Sequence, residues 1–216
     1  PERTAHGYLA EMEKVIRKNG GDIWYNTAAE KINVKDGHIE SVETSQGDTI
    51  WTNFVLCNCD PRRVIGKMLQ GATVPEQIIK SEETAEENFS FFLIYLGMDV
   101  PAKELGVLTH HTFIHEDTDI NKVFDEYGSF DGVKTIGILC PNYTVPDFSP
   151  EGTCVLAISV PVHGRILENL NQREYVRKKH EFEKDIIRRI EEYMEIDLES
   201  HIEEIESATP ATLNRY

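Results

Sequence analysis

Residues 5–18 set Leu9, Met12, Val15 and Ile16 at helical spacing, and Gly20-Gly21 follows where a helix end takes glycine. The spacing predicts a helix over 5–18 and then a short strand at Ile23-Trp24-Tyr25. From Ala28 to Thr52 the period switches to two. Lys31-Ile32-Asn33-Val34 leads into Asp36-Gly37, a dipeptide suited to the positive φ angles of a two-residue hairpin turn. Ile39-Glu40-Ser41-Val42 returns, Gln46-Gly47-Asp48 turns again, and Thr49-Ile50-Trp51 completes a three-stranded meander with one wet face. Phe54-Val55-Leu56-Cys57 is almost continuously apolar, the pattern of a strand buried on both faces.

Asp60-Pro61 marks the next boundary, because aspartate caps a helix whose first residue is proline; this helix runs to about Leu69. After a polar stretch at 81–88, Phe89 to Leu96 is the most apolar segment of the chain. Strands are expected at 108–115, 134–142 and 153–161, with a helix near 120–127 and a loop at 146–152. Tyr175, Val176, Phe182, Ile186, Ile190 and Tyr193 form the apolar stripe of a long helix over 171–195, and a last strand covers 201–207. The fold class is therefore α/β plus α+β. Residues 1–60 supply helix, strand, three-stranded meander and returning strand, and 61–207 an α+β domain with a mixed or antiparallel sheet of four or five strands.

Composition narrows the function by exclusion. The formal net charge of −16 repels phosphate backbones, so no nucleic acid is expected as a partner. No apolar run approaches the roughly 18 residues of a membrane span. The chain opens Pro1-Glu2-Arg3-Thr4, with no basic start and apolar stretch, so no signal peptide is expected in it. Cys57, Cys59, Cys140 and Cys154 lack the paired spacing of a zinc site and read as small buried residues; nothing demands an oxidising compartment, so the expected location is cytoplasmic.

Candidate chemistry is sparse. No two glycines are separated by a single residue, so the G-x-G-x-x-G phosphate cradle is absent, as are the Walker pattern and the G-x-S-x-G elbow. His110, His111 and His115 cluster, but on a strand His111 and His115 lie about 13 Å apart and His110 faces the other way. No metal is expected, and no catalytic residue is assignable. Glu191-Glu192 and Glu203-Glu204 suit a solvated surface. Phe89, Phe91 and Tyr95 share one strand face opposite Phe92, Ile94 and Leu96. They are either core or the wall of an apolar pocket, and alternation alone does not separate the two.

Four segments, in order, resemble the phytoene desaturase and carotenoid isomerase group of flavoproteins, within the amine-oxidase-like superfamily. They are Tyr8-Leu9-Ala10-Glu11 through Gly20-Gly21-Asp22-Ile23; Ala29-Glu30-Lys31-Ile32 with Asp36-Gly37-His38-Ile39 and Gly47-Asp48-Thr49-Ile50; Val55-Leu56-Cys57-Asn58-Cys59-Asp60-Pro61; and Ser90 to Asp99. Weaker similarity covers 110–114, 150–152 and 208–213.

The resemblance implies an internal portion of an FAD-dependent oxidoreductase. Residues 1–60 would be a partial FAD-binding domain with its β-meander, 61–207 the substrate-binding domain, and 208–216 the start of the return to the FAD domain. FAD is implied for the full-length protein, with none expected on this portion alone, which would be inactive. The implied cofactor-side positions are Ala29, through its main chain, and Asn58 and Asp60 at the end of the returning strand, although a turn and an N-cap explain the last two equally well. Phe89, Phe91 and Tyr95 would line the substrate pocket. The implied reaction is desaturation, saturation or isomerisation of a hydrophobic, polyene-like small molecule, with peripheral membrane contact reserved to the full-length protein. An amine- or porphyrinogen-oxidising flavoprotein and a stand-alone ligand-binding module stay open as alternatives. Oligomeric state is not legible.

Overall fold

The computed structural model describes residues 5–84, 89–119, 121–122, 127 and 135–215. Two compact units divide the chain near residue 86.

The first unit opens with α1 (Ala5–Lys18), as its spacing predicts. Its apolar stripe is not buried: Tyr8, Leu9, Met12, Val15 and Ile16 are exposed. A polar network fastens the end of α1 to the following segment. Arg17 pairs with Glu13 at 2.7 Å and with Asp22, Asp22 accepts from the Trp24 indole at 2.9 Å, and the Tyr25 hydroxyl donates to Glu13 at 2.5 Å. Residues 23–25 are held by these side chains and form no strand, contrary to expectation, because among the described residues no partner strand lies beside them.

The meander is present as β1 (Ala29–Lys35), β2 (His38–Thr44) and β3 (Thr49–Trp51), all antiparallel. Asp36 and Gly37 turn it with φ of 50° and 78°, the left-handed pair the dipeptide suits. The returning strand expected at 54–57 is not formed. These residues join no ladder, and Phe54 and Leu56 are exposed. An apolar run becomes a buried strand only where neighbouring strands satisfy its backbone on both sides. Asp60 caps α2 (Pro61–Arg63), its carboxylate accepting from Arg62 N–H at 2.9 Å. The chain then widens into a π-helical turn over Val64–Met68, and α3 (Glu76–Thr84) follows, a helix the sequence reading missed. All of this segment groups with the meander rather than with the second sheet.

The second unit is a sheet of five strands with a helix against one face. The strands are β4 (Phe89–Met98), β5 (His111–His115), β6 (Thr135–Leu139), β7 (Cys154–His163) and β8 (Ile202–Ala208), ordered β5-β6-β7-β4-β8 and antiparallel throughout. The helix expected near 120–127 lies mostly outside the described residues.

Between β7 and β8 runs α4 (Gln172–Met194). Asn171 caps it by accepting from the N–H groups of Arg173 and Glu174, each at 3.1 Å, and Glu195 ends it in the left-handed conformation. Its Phe182, Ile186 and Ile190 pack with Phe92, Ile94, Leu96, Met98, Leu156 and Ile158 in the core. Each such side chain contributes about 1.5–3 kcal/mol by leaving water. Glu183, buried on the same helix, accepts from the Ser207 hydroxyl at 2.5 Å. A one-turn helix, α5 (Pro210–Leu213), closes the unit, with Thr209 and Thr212 forming a reciprocal cap.

Candidate functional site

The three positions that the resemblance assigns to the cofactor, Ala29, Asn58 and Asp60, lie in the first unit. Ala29 opens β1 opposite Thr44 and is exposed. The register slips between Ala29 and Lys31, an irregularity that takes main-chain groups out of the ladder. Alongside it, Ser45 N–H donates to the Ala28 carbonyl at 2.8 Å and Ala28 N–H to the Ser45 hydroxyl at 3.0 Å. A main-chain contact at this strand start is compatible with such geometry, whereas a pyrophosphate cradle has no counterpart in the sequence. Asn58 is exposed in the extended segment before α2, and Asp60 is engaged as the α2 cap.

The three positions that the resemblance assigns to a substrate pocket lie in the second unit, on the sheet face turned away from α4. Phe89, Phe91 and Tyr95 are 36%, 38% and 44% exposed, while Phe92, Ile94 and Leu96 on the opposite face are 0% exposed. The alternation thus resolves into one core face and one open face. Phe89 meets Phe91 edge to face at 5.4 Å and also approaches Tyr127 at 5.6 Å.

Register extends this open face across four strands, since directly paired residues point to the same side. Tyr95 stands opposite Ala157, Ala157 opposite Leu139, and Leu139 opposite His111. Leu93 stands opposite Ser159, Ser159 opposite Gly137, and Gly137 opposite Phe113. The middle of the face is therefore built from Gly137, Ala157 and Ser159, with larger side chains on β4 and β5. A methyl group on Gly137 would come within 2.8 Å of the Ser159 hydroxyl and 3.3 Å of the Phe113 ring, so the absent side chain is what lets Phe113 lean inward.

Phe113 and its imidazole neighbours were not among the expected pocket residues. Phe113 lies between His111 and His115, with ring centroids at 4.2 and 5.9 Å, and is 58% exposed. His115 also lies 3.2 Å from the Thr135 hydroxyl across the ladder. The alternation of 111–115 already sets these three side chains on one face, but sequence does not show that this strand reaches β4's sheet through β6 and β7.

Chemically, the open face offers aromatic and aliphatic contact along β4 and in its middle, suited to an apolar ligand, and is bordered by Glu206, opposite Tyr95, on β8 and by His111 and His115 on β5. Among the described residues, no group of three His, Cys, Asp or Glu side chains is placed to hold a metal ion, and no helix is long and apolar enough to cross a membrane.

No protein-family model matches the chain. Individual proteins do. A chloroplastic prolycopene isomerase of Daucus carota is 27% identical over 218 residues, covering 97% of this chain and 33% of that protein. A 4,4'-diapophytoene desaturase of Methylomonas sp. is 25% identical over 158 residues, covering 71% of this chain and 30% of the relative. A zeta-carotene-forming phytoene desaturase of Myxococcus xanthus is 27% identical over 172 residues, covering 75% and 30%. The crystal structure of an oxidoreductase from Methanosarcina mazei superposes with a TM-score of 0.63 at 14% identity, covering 94% of this chain and 42% of the other, a likeness of fold. The chain is thus a relative of the carotenoid isomerases and phytoene desaturases, and it spans 33% of the length of the carrot isomerase it matches.

Proposed function

We propose that this chain is part of an FAD-dependent oxidoreductase, a desaturase, saturase or isomerase, that acts on a hydrophobic polyene-like substrate. In this reading residues 87–215 supply the substrate side. The observation that carries it is the open face of the five-stranded sheet, where Phe91, Leu93, Tyr95 and Phe113 stay accessible while the opposite face is sealed by α4. The relatives act, by their names, on prolycopene, phytoene and diapophytoene, which are long unsaturated hydrocarbons. Such a molecule offers a protein little beyond apolar and π contact, and this face presents those contacts.

A flavin, when bound, supplies the hydride chemistry of such a reaction. The main chain at Ala29 would hold the adenine end, and the segment from Asn58 to the α2 cap at Asp60 would lie at the cofactor's edge. The phosphate cradle would come from outside this stretch, so the reaction belongs to the full-length protein.

The test is to supply the full-length protein with FAD and with phytoene-type and prolycopene-type polyenes, following polyene absorbance. Flavin retention and a shift in the polyene spectrum support the reading. Retained flavin with turnover of an amine or a porphyrinogen instead would reassign the substrate class, and no retained flavin would favour a binding module without catalysis.

A further inference from the structure

The five-stranded sheet ends at β5 on one side and at β8 on the other, and among the described residues neither outer edge is paired. The two edges are built differently. β8 carries Glu203, Glu204 and Glu206, charges of the kind that keep a free edge from pairing with another chain. β5 reads His111-Thr112-Phe113-Ile114-His115, with no Asp, Glu, Lys or Arg, and its central Phe113 is exposed.

The main chain of β5 divides between its two sides. Cys140 N–H donates to the His110 carbonyl at 2.9 Å, which continues the β5–β6 register by one pair. Along an antiparallel ladder, residues that exchange both hydrogen bonds alternate with residues that exchange none. His110, Thr112 and Ile114 therefore turn their N–H and C=O groups toward β6. His111, Phe113 and His115 turn theirs to the outer edge, where the His111 carbonyl accepts from the Thr109 hydroxyl at 3.2 Å and keeps a second lone pair.

We propose that β5 pairs antiparallel with β5 of a second copy of this chain, about a two-fold axis at Phe113. A two-fold contact needs a self-complementary strand, and β5 is one. Phe113 falls opposite itself and His111 opposite His115 of the second copy, so the three residues with outward main-chain groups all become hydrogen-bonded pairs. Any other register matches fewer of them. The same register sets Glu116, already held by Arg189, opposite His110 of the second copy, acid against imidazole rather than acid against acid.

Directly paired residues share a face, so the open face runs on from one sheet into the next, with the two Phe113 rings side by side at the seam. The pairing does not depend on which ligand that face takes. Five residues a side make a small interface, below the roughly 1,200 Å² of stable complexes, so the dimer should build up only toward about 100 µM chain.

The experiment uses the 216-residue chain in two ways. Sedimentation velocity across a concentration series should show the mass rising from monomer toward dimer by about 100 µM. Phe113→Lys, which sets like charges opposite each other at the axis, should hold the chain monomeric, while Tyr95→Lys, away from the edge on the open face, should not. Register is read by cross-linking in a Cys57→Ser, Cys59→Ser background. One chain carries His111→Cys and another His115→Cys. Cross-strand Cα atoms of this pair would lie about 5.5 Å apart, within disulfide reach, whereas like positions would lie about 13 Å apart. Mild oxidation of the mixture should therefore link the two variants, and either variant alone should give little linked dimer. A chain that stays monomeric at about 100 µM and gives no mixed link would overturn the proposal and leave the β5 edge to a segment of a longer protein. So would a dimer abolished by Tyr95→Lys but not by Phe113→Lys, or self-links as abundant as mixed ones. The cross-linking pair keeps Phe113, so it decides the matter even if Phe113→Lys fails to fold.

Discussion

The rings of Phe92 and Phe182 meet edge to face, 4.9 Å between centroids with their planes at 90°. This contact joins β4 to α4 at the centre of the core, and it decides which face of β4 is sealed. Phe92→Ala is predicted to cost about 3–5 kcal/mol, because the cavity left between strand and helix cannot collapse fully. Phe91→Ala and Tyr95→Ala, one strand position away on the open face, should each cost about 1 kcal/mol or less, as surface substitutions do. Urea unfolding of the three variants checks the ranking; equal losses at all three positions would mean that both faces are core.

Gly137 tests the middle of the open face. Gly137→Val places a branched side chain where the Ser159 hydroxyl and the Phe113 ring already lie, and should destabilise the chain by about 1–3 kcal/mol through overpacking. Adding Phe113→Ala should recover part of that loss. A double-mutant cycle with no coupling would show that Phe113 does not lean over Gly137 in solution.

Much of the second unit was legible in sequence. The α4 stripe from Tyr175 to Tyr193 fixed a helix whose observed bounds differ by one residue at each end, and β6, β7 and β8 fall where their apolar runs lie. Cys57 and Cys59, read as small buried residues, are exposed, and the two strands that failed to form share one cause. Ile23-Trp24-Tyr25 and Phe54-Val55-Leu56-Cys57 have strand composition, but a strand exists only where a neighbour takes its hydrogen bonds, and composition does not report neighbours. Phe113 was overlooked for the related reason that sheet order is a long-range property. Periodicity placed Phe89, Phe91 and Tyr95 on one face, and only burial showed which face was open.

The network after α1 predicts a pH dependence. Asp22 lies below the usual carboxylate range because Ile23 N–H, the Trp24 indole and Arg17 all stabilise its anion; Glu13 is lowered by the Tyr25 hydroxyl and by Arg17. Groups lowered on folding contribute fully above their unfolded pKa and lose that contribution as pH falls through the folded one. The fastening of α1 to 22–25 should therefore hold at neutral pH and weaken in acid. Arg17→Ala should raise both carboxyl titrations and shift the weakening to higher pH, read by NMR from the carboxyl and α1 amide signals. Unchanged titrations would contradict the network.

The purified 216-residue chain should carry no flavin absorbance after expression with excess FAD, since it contains no glycine turn to take a pyrophosphate. On the proposed function, a longer protein that adds a phosphate cradle to this chain should be yellow. Stoichiometric FAD on the 216-residue chain would show that the cofactor is held by contacts other than a glycine cradle.

The role of the open face is tested most directly by Phe89→Ala, Phe91→Ala and Tyr95→Ala in the full-length enzyme, comparing melting temperature with KM and product distribution across polyenes of different length. A substrate-lining face predicts altered KM or chain-length preference with little change in melting temperature. A marked fall in melting temperature at all three positions, with selectivity unchanged, would contradict it and return these residues to the core.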